Sequence, residues 1–381
     1  MQSRRAFLTT IGSVAVAGCT GTGRPSRYTT TTTSPTTNRD ESPTTESTTT
    51  TEHPATATIG FGGDTMVGRT LNDIYGQDGV DPASIWGDLE SRLAGLDGVC
   101  CNLECCLSTR GERFPGRAYY FRGDPAWAIP ALTAGNIRFA SLANNHTLDY
   151  GVTALTDTID QLEDAGIAVA GAGQTPTKAR EPATFTAGGI DVAVVSLADR
   201  SAVYEVSDDR AGIAYAETDP DNEETQQVVG DAIAQARAAD PDLLVVSIHW
   251  GPNWVERPKD RLVAFGHWLV DQGVDLVHGH SAHVVQGIEQ YEDGVILHDT
   301  GDLVDDFGVK DDLGNDKSFL FEVTVTGGDI TEIRLVPTYI DDGVTTANPE
   351  QAAWLRETMR RRSKPFDTTY ERDGQALVVR R

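Results

Sequence analysis

From about residue 55 onward, short apolar runs alternate with amphipathic stretches, and the runs stop at polar residues of one particular kind. Ala57 to Phe61 leads into Gly63-Asp64, and Val99 to Cys101 into Asn102-Leu103-Glu104. Ile137 to Ala143 leads into Asn144-Asn145-His146, Leu243 to Ile248 into His249, and Val274 to Val277 into Gly279-His280. Short continuous apolar runs of this length read as strands buried on both faces. Amphipathic helices are expected near Trp86 to Ala94, Pro125 to Ala134, Gly151 to Ala165, Glu223 to Ala239, Lys259 to Gln272 and Pro349 to Arg362. Further strands are expected near 167–170, 192–197, 284–290, 295–297, 319–325 and 330–338. The last four read as antiparallel, with turn signals at Glu292-Asp293-Gly294 and Gly327-Gly328-Asp329. Alternation of this sort defines an α/β fold, and such folds place their sites in the crevice beyond the carboxyl ends of the strands.

The first 54 residues have a different character. Ser3-Arg4-Arg5-Ala6-Phe7-Leu8 is a twin-arginine pattern, and the apolar stretch after it ends in Val16-Ala17-Gly18-Cys19. That stretch is too short to span a bilayer, and small residues before a cysteine fit a lipoprotein cleavage site. Residues 1–19 are therefore expected to be an export signal, with lipid on Cys19 holding the chain at the extracellular face of the cell membrane. Residues 20–54, nearly all Thr, Ser, Pro and charged residues, lack the apolar surface to fold and read as a stalk. A single domain over 55–345 and a C-terminal helix and tail over 346–381 complete the expected organisation.

Acidic residues outnumber basic ones 57 to 31, for a net charge of −26, and only five of the bases are lysines. This field repels nucleic acid and argues against a nucleic-acid partner. Excess carboxylate with so little lysine points to a halophilic protein, in which concentrated salt screens self-repulsion. Cys100, Cys101, Cys105 and Cys106 flank Asn102-Leu103-Glu104 too closely for easy bridging. Cys100 and Cys101 are expected as buried small side chains, and the state of Cys105 and Cys106 is left open.

Asp64, Glu104, Asn145-His146, His249, and His280 with His283 follow the order of ligands in calcineurin-like metallophosphoesterases. The surrounding strings Gly63-Asp64-Thr65-Met66-Val67-Gly68-Arg69, Ala143-Asn144-Asn145-His146-Thr147-Leu148-Asp149-Tyr150-Gly151, His249-Trp250-Gly251 and Gly279-His280-Ser281-Ala282-His283 resemble the CapA-type poly-γ-glutamate capsule synthesis proteins over roughly 58–307. The resemblance implies a metallophosphoesterase sandwich, two β-sheets flanked by helices. It implies metal ligation by Asp64, Glu104, Asn145, His249, His280 and His283, and proton donation by His146. Carboxylate, amide and imidazole donors together suit one or two ions of Mn, Fe or Zn. Two departures from the superfamily pattern stand out. Met66 occupies a position where a ligand histidine is expected, and two residues rather than one separate His280 from His283.

Asp149 is a candidate either to orient His146 or to cap the helix that follows. Arg69 and Arg122, with Arg110 and Arg113, are candidates for gripping an anionic substrate, and Trp250 and Trp254 for walling the cleft beside His249. Asp302, in Gly301-Asp302, departs from the Gly-Asn common among relatives. The resemblance implies poly-γ-glutamate synthesis or export, with an anionic polymer and a membrane polymer-synthase complex as partners. The residues alone also admit an extracellular metal-dependent hydrolase of phosphoester or amide bonds, or a degenerate site that only binds polymer. If the acidic surface is a salt adaptation, the thermal midpoint should rise from low to molar salt; a flat or falling midpoint would exclude it.

Overall fold

The computed structural model describes residues 54–381. The twin-arginine segment, Cys19 and nearly all of the Thr-rich stretch lie outside these residues. Two β-sheets face each other, with helices on their outer faces, a metallophosphoesterase-like α/β sandwich. The larger sheet has ten strands, eight of them in the order Glu371–Asp373, Ala376–Arg380, Asp329–Ile340, Lys317–Thr326, Thr56–Thr65, Gly98–Leu103, Ile137–Ser141 and Ala168–Ala170. Asp302–Val304 pairs beside the strand Thr56–Thr65, and Val344–Thr346 beside Asp329–Ile340. The smaller sheet runs Ile288–Tyr291, Gly294–Leu297, Leu276–His280, Leu243–His249, Ile190–Ala198 and Ala183–Ala187.

Strand Leu243–His249 shows why the apolar runs are continuous. Leu243 and Val245 enter the core between the sheets, whereas Leu244, Val246 and Ile248 pack on the outer helices Glu223–Arg237 and Asp260–Asp271. Side chains alternate along a strand, so Ser247 and His249 continue the inner row. Leu276, His278 and His280 repeat the pattern on the neighbouring strand, with His249 beside His280 in register. The core between the sheets therefore turns polar at the strand ends, and there the site begins.

The first strand needs an irregularity to take part. Ala57, Ile59 and Phe61 face the inner core, and strict alternation would send Asp64 outward. The register with the neighbouring strand slips between Phe61, paired with Cys100, and Asp64, paired with Asn102. This bulge at Gly62-Gly63 restores Asp64 to the inner face. Close approach demands glycine there, since a Cβ on Gly63 would lie 1.8 Å from the carbonyl oxygen of Gly301.

Several elements differ from the sequence pattern. The expected helix from Trp86 is a 3₁₀ segment, Pro82–Leu89, broken at Gly87 with φ 50°, followed by a short helix Glu90–Ala94. Gly294–Leu297 is not purely antiparallel: it pairs in parallel with Leu276–His280 and antiparallel with Ile288–Tyr291. The expected C-terminal tail forms strands that extend the larger sheet, and Leu355 and Met359 of helix Pro349–Ser363 join the core between the sheets. The four cysteines are buried and unbridged, and burial pushes the Cys101 and Cys106 thiols up to about 12.

Gly63→Ala should displace the Gly301 turn or cost several kcal/mol of stability, because a buried backbone must move to admit the methyl. Urea unfolding checks this, and a variant within about 0.5 kcal/mol of the natural protein would contradict the close packing.

Candidate functional site

Asp64 is fully buried, and its two oxygens face different partners. Oδ1 lies 3.7 Å from His249 Nδ1 and 3.6 Å from His280 Nδ1, and these two nitrogens are 3.0 Å apart. Oδ2 lies 3.3 Å from His283 Nδ1, which is 2.9 Å from Asp302 Oδ1. Asp64 with His249 and His280, and Asp64 with His283 and Asp302, are thus two buried donor groups sharing one carboxylate. Donors held about 2 Å from a cation stand some 3 to 4 Å from one another, so both groups have the spacing a divalent cation requires. Glu104, expected as a ligand, joins neither group but borders both: Oε1 is 3.8 Å from His249 Nε2, not the nitrogen that faces Asp64, and Oε2 is 3.8 Å from His283 Nδ1.

The fit to cations is also visible in what lacks a partner. Glu104 Oε2, Asp302 Oδ2 and Asp305 Oδ2 are buried with no hydrogen-bond donor. Such atoms are costly unless a charge compensates them. Burial pushes Glu104 well above the usual carboxylate range, helped by the Asp64 charge, and it raises Asp302 and Asp305 too. Burial alone would raise Asp64, but His283, His249 and His280 hold it well below its ordinary value. Burial pushes His249 down to about 3 and His280 well below the usual imidazole range, so both are neutral donors. Burial works in the same direction on His283, but the Asp302, Glu104 and Asp64 carboxylates overcome it and hold His283 high.

Around the donors stands a layer of orienting contacts. Asn102 Nδ2 donates to Asp64 Oδ1 at 2.6 Å, and Ser281 N donates to Oδ2 at 3.2 Å. Ser247 Oγ bridges His280 Nε2 and His278 Nδ1, and His278 Nε2 sits 3.0 Å from the Gly62 carbonyl. Asn145 Oδ1 meets His249 Nε2 at 2.6 Å. Asn144 binds the Asn102 side chain and the Leu103 carbonyl, and accepts from His146 N. Asp299 ties together the two turns that carry the candidate donors His283 and Asp302 by accepting from Ala282 N at 2.7 Å and Gly301 N at 2.9 Å.

The two sequence departures find structural counterparts. Met66 is packed in the outer apolar layer, and Asp302, the register neighbour of Asp64, completes the second group. The additional residue between His280 and His283 is accommodated by positive φ at Ser281, 113°, and at His283, 56°. Nothing in the local pattern identified Asp302 as a donor, because its partner strand is set only by the fold. His278 was likewise missed, although its two-residue spacing from His280 on an apolar strand was a usable signal.

His146 lines the mouth of the site. Its Nδ1 is 2.6 Å from Asp149 Oδ2, its ring stacks on Phe121 at 3.7 Å, and Nε2 is 3.9 Å from Glu104 Oε1. Asp149 also accepts from Phe121 N, while helix Gly151–Asp164 has no side-chain cap, so Asp149 orients His146 rather than capping. Burial pushes Asp149 up to about 7 and His146 well below the usual imidazole range. Arg117, which sequence reasoning passed over, pairs with Asp149 at 3.3 Å and reaches His146 Nδ1 at 3.2 Å.

A cleft of about 320 Å³ opens above these groups, lined by Arg69, Tyr119, Phe121, His146, Trp254, His283, Phe307 and Lys310 among others. Arg69 is there as expected, paired with Asp306 at 3.3 Å. Arg122 is not: its guanidinium lies over Tyr150. Trp250 is buried among the outer helices, its Nε1 donating to the His298 carbonyl, and Trp254 forms the wall instead. Arg110 and Arg113 are engaged with Asp157 and Tyr150.

Because buried acids with raised pKa values destabilise the metal-free fold as pH climbs above about 4, chelation should lower the thermal midpoint more at about pH 7 than at about pH 5. At the lower pH protons compete with the cation and relieve the bare carboxylates. A chelator-induced shift that widens on acidification would refute the cation assignment.

Residues 58–307 match the family described as Bacterial capsule synthesis protein PGA_cap. A probable polyglutamine synthesis accessory protein of Mycobacterium tuberculosis is 31% identical over 359 residues, covering 82% of this chain and 93% of that one. The PGA biosynthesis protein CapA of Bacillus subtilis is 27% identical over 250 residues, 65% of this chain and 63% of its own. A hypothetical protein from Thermus thermophilus, of known structure, aligns at 14% identity and TM-score 0.43 over 76% of this chain and 100% of that one, too loosely to bear on function. The family match spans well over half of the sequence and the mycobacterial relative most of it, so this chain belongs to the PGA_cap family of bacterial capsule synthesis proteins.

Proposed function

We propose that this protein is an accessory factor in poly-γ-glutamate synthesis whose cleft is a divalent-cation-dependent hydrolase site acting on an anionic substrate. The relatives' names support the polymer, since they are described as PGA biosynthesis and polyglutamine synthesis proteins. The observation that carries the chemistry is the shared Asp64 carboxylate, with one oxygen turned to each of two donor groups. Asp64, His249 and His280 would hold one cation, Asp64, His283 and Asp302 a second, and Glu104 stands within reach of both. Bound Mn, Fe or Zn would neutralise substrate oxygens and act as a Lewis acid.

The chain's own residues then divide the remaining work. Asp149, raised to about 7, can keep its own proton and donate it to His146 Nδ1, so the neutral ring carries its proton on Nε2, from which it can pass to a departing group while Nδ1 takes up the Asp149 proton. Phe121 covers one face of that ring and keeps water from it. Arg69 brings a guanidinium to the mouth, suited to phosphate or carboxylate oxygens.

The location belongs to the same proposal. Arg4-Arg5 and Cys19 fit export and lipid attachment at the outer face of the membrane, beside a polymer synthase. No helix among the described residues is long and apolar enough to cross a membrane.

With aryl phosphates, phosphodiesters and γ-glutamyl amides as test substrates, His146→Ala should lower turnover by roughly 10²-fold or more while the cation stays bound. Loss of metal from this variant would make His146 a ligand instead of a proton donor. If the metal-loaded natural protein turns over none of these, yet binds poly-γ-glutamate saturably, the cleft is a polymer-binding site and not a hydrolase.

A further inference from the structure

Resting on the hydrolase reading above, we propose that Lys310 is a specificity-determining residue. Its ammonium, lying on Trp254, forms a second anion subsite for a carboxylate or phosphate that the substrate carries apart from its reacting group.

The cations near the cleft are not equivalent. Arg69 is paired with Asp306 and Arg117 with Asp149, each at 3.3 Å. Lys310 Nζ lies 4.8 Å from the centre of the Trp254 ring and makes no ion pair among the described residues. Lys259 and Lys364 are likewise without an ion pair among the described residues, but of the five lysines Lys310 alone lines this cleft. Asp305, Asp306, Asp311 and Asp312 all lie within five positions of it in sequence, in a chain of net charge −26. Lys178 and Lys317, by comparison, pair with nearby acids, Glu181 and Asp316.

Both halves of the subsite are held from behind. The Lys310 backbone accepts from Leu313 N at 2.9 Å and Gly314 N at 2.8 Å, and its own N donates to Asn315 Oδ1 at 2.7 Å. Trp254 sits at φ 64°, a conformation costly for a bulky residue, fixed by its N–H on the Ala282 carbonyl at 2.8 Å. That bond comes from the turn carrying His283, whose ring lies 5.0 Å from the indole. Lys310 is therefore one indole's width from a donor of the second cation group. A cleft of about 320 Å³ leaves room for a compact substrate with a second anionic group beyond the reacting one. A lysine ammonium is a point charge that reads the charge of that group and imposes little on its shape.

The test uses the metal-loaded protein at low salt and compares phenyl phosphate with para-carboxyphenyl phosphate. The natural protein should favour the carboxylated ester in kcat/KM by roughly tenfold, mostly through KM. Lys310→Met should bring that ratio close to one, Lys310→Arg should keep most of it, and rising salt should shrink it in the natural protein. Equal kcat/KM for the two esters, or a preference that survives Lys310→Met, would overturn the subsite. If neither ester is turned over, the hydrolase reading fails, and calorimetry with para-carboxyphenyl phosphonate still decides on Lys310. Weaker binding by Lys310→Met than by the natural protein supports the subsite, and equal affinity refutes it.

Discussion

One buried carboxylate, Asp64, governs the arrangement of this protein's site. It can face two donor groups at once only because the first strand bulges at Gly62-Gly63, turning residue 64 to the side that alternation had assigned to residue 63. The bulge is possible because Gly63 has no Cβ to collide with the Gly301 carbonyl. The same contact lets Asp64 N donate to that carbonyl at 2.9 Å, and sets Asp302 beside Asp64 in register. A single backbone irregularity therefore positions two donors from strands more than two hundred residues apart.

Electrostatics explains why this arrangement favours a compensating charge. Asp64, Glu104, Asp149, Asp299, Asp302 and Asp305 are buried near one another, against neutral His249 and His280 and a single imidazole, His283, held high. Buried acids in that excess destabilise a fold unless cations or protons compensate them. Positive φ at Arg69, Trp254, Ser281 and His283 adds strain around the same cleft, at about 1 to 3 kcal/mol for each such residue. Both features mark a region where stability has been given up for a defined site, as active sites commonly do.

Support for the site extends past the segment matched to the family. Arg362, at the end of helix Pro349–Ser363, donates to the Val285 carbonyl and pairs with Glu256, two residues beyond Trp254. Ser363 Oγ accepts from Ile288 N, and Thr368 Oγ1 donates to the Ile288 carbonyl, so the chain after His283 is held on both sides. Leu355 and Met359 seal the core between the sheets beneath it. The C-terminal segment thus holds the back of the turn carrying His283 and of the Trp254 wall.

The sequence by itself determined the fold class and the strand ends at which most candidate donors stand: apolar runs such as Leu243 to Ile248 mark strands buried on both faces, and His249 and His280 follow from their positions at the strand ends. Such features are local, since alternation and run length are properties of neighbouring residues. What lay outside that reach was non-local. Asp302 becomes a donor because its strand lies beside the first one, Trp254 rather than Trp250 walls the cleft because of a left-handed turn, and Arg117 meets His146 across a loop. The inward turn of Asp64 depends on a bulge whose cause, the Gly301 carbonyl, sits far along the chain. Periodicity tells which face a residue prefers; only tertiary structure decides where a register slips and which strand ends meet.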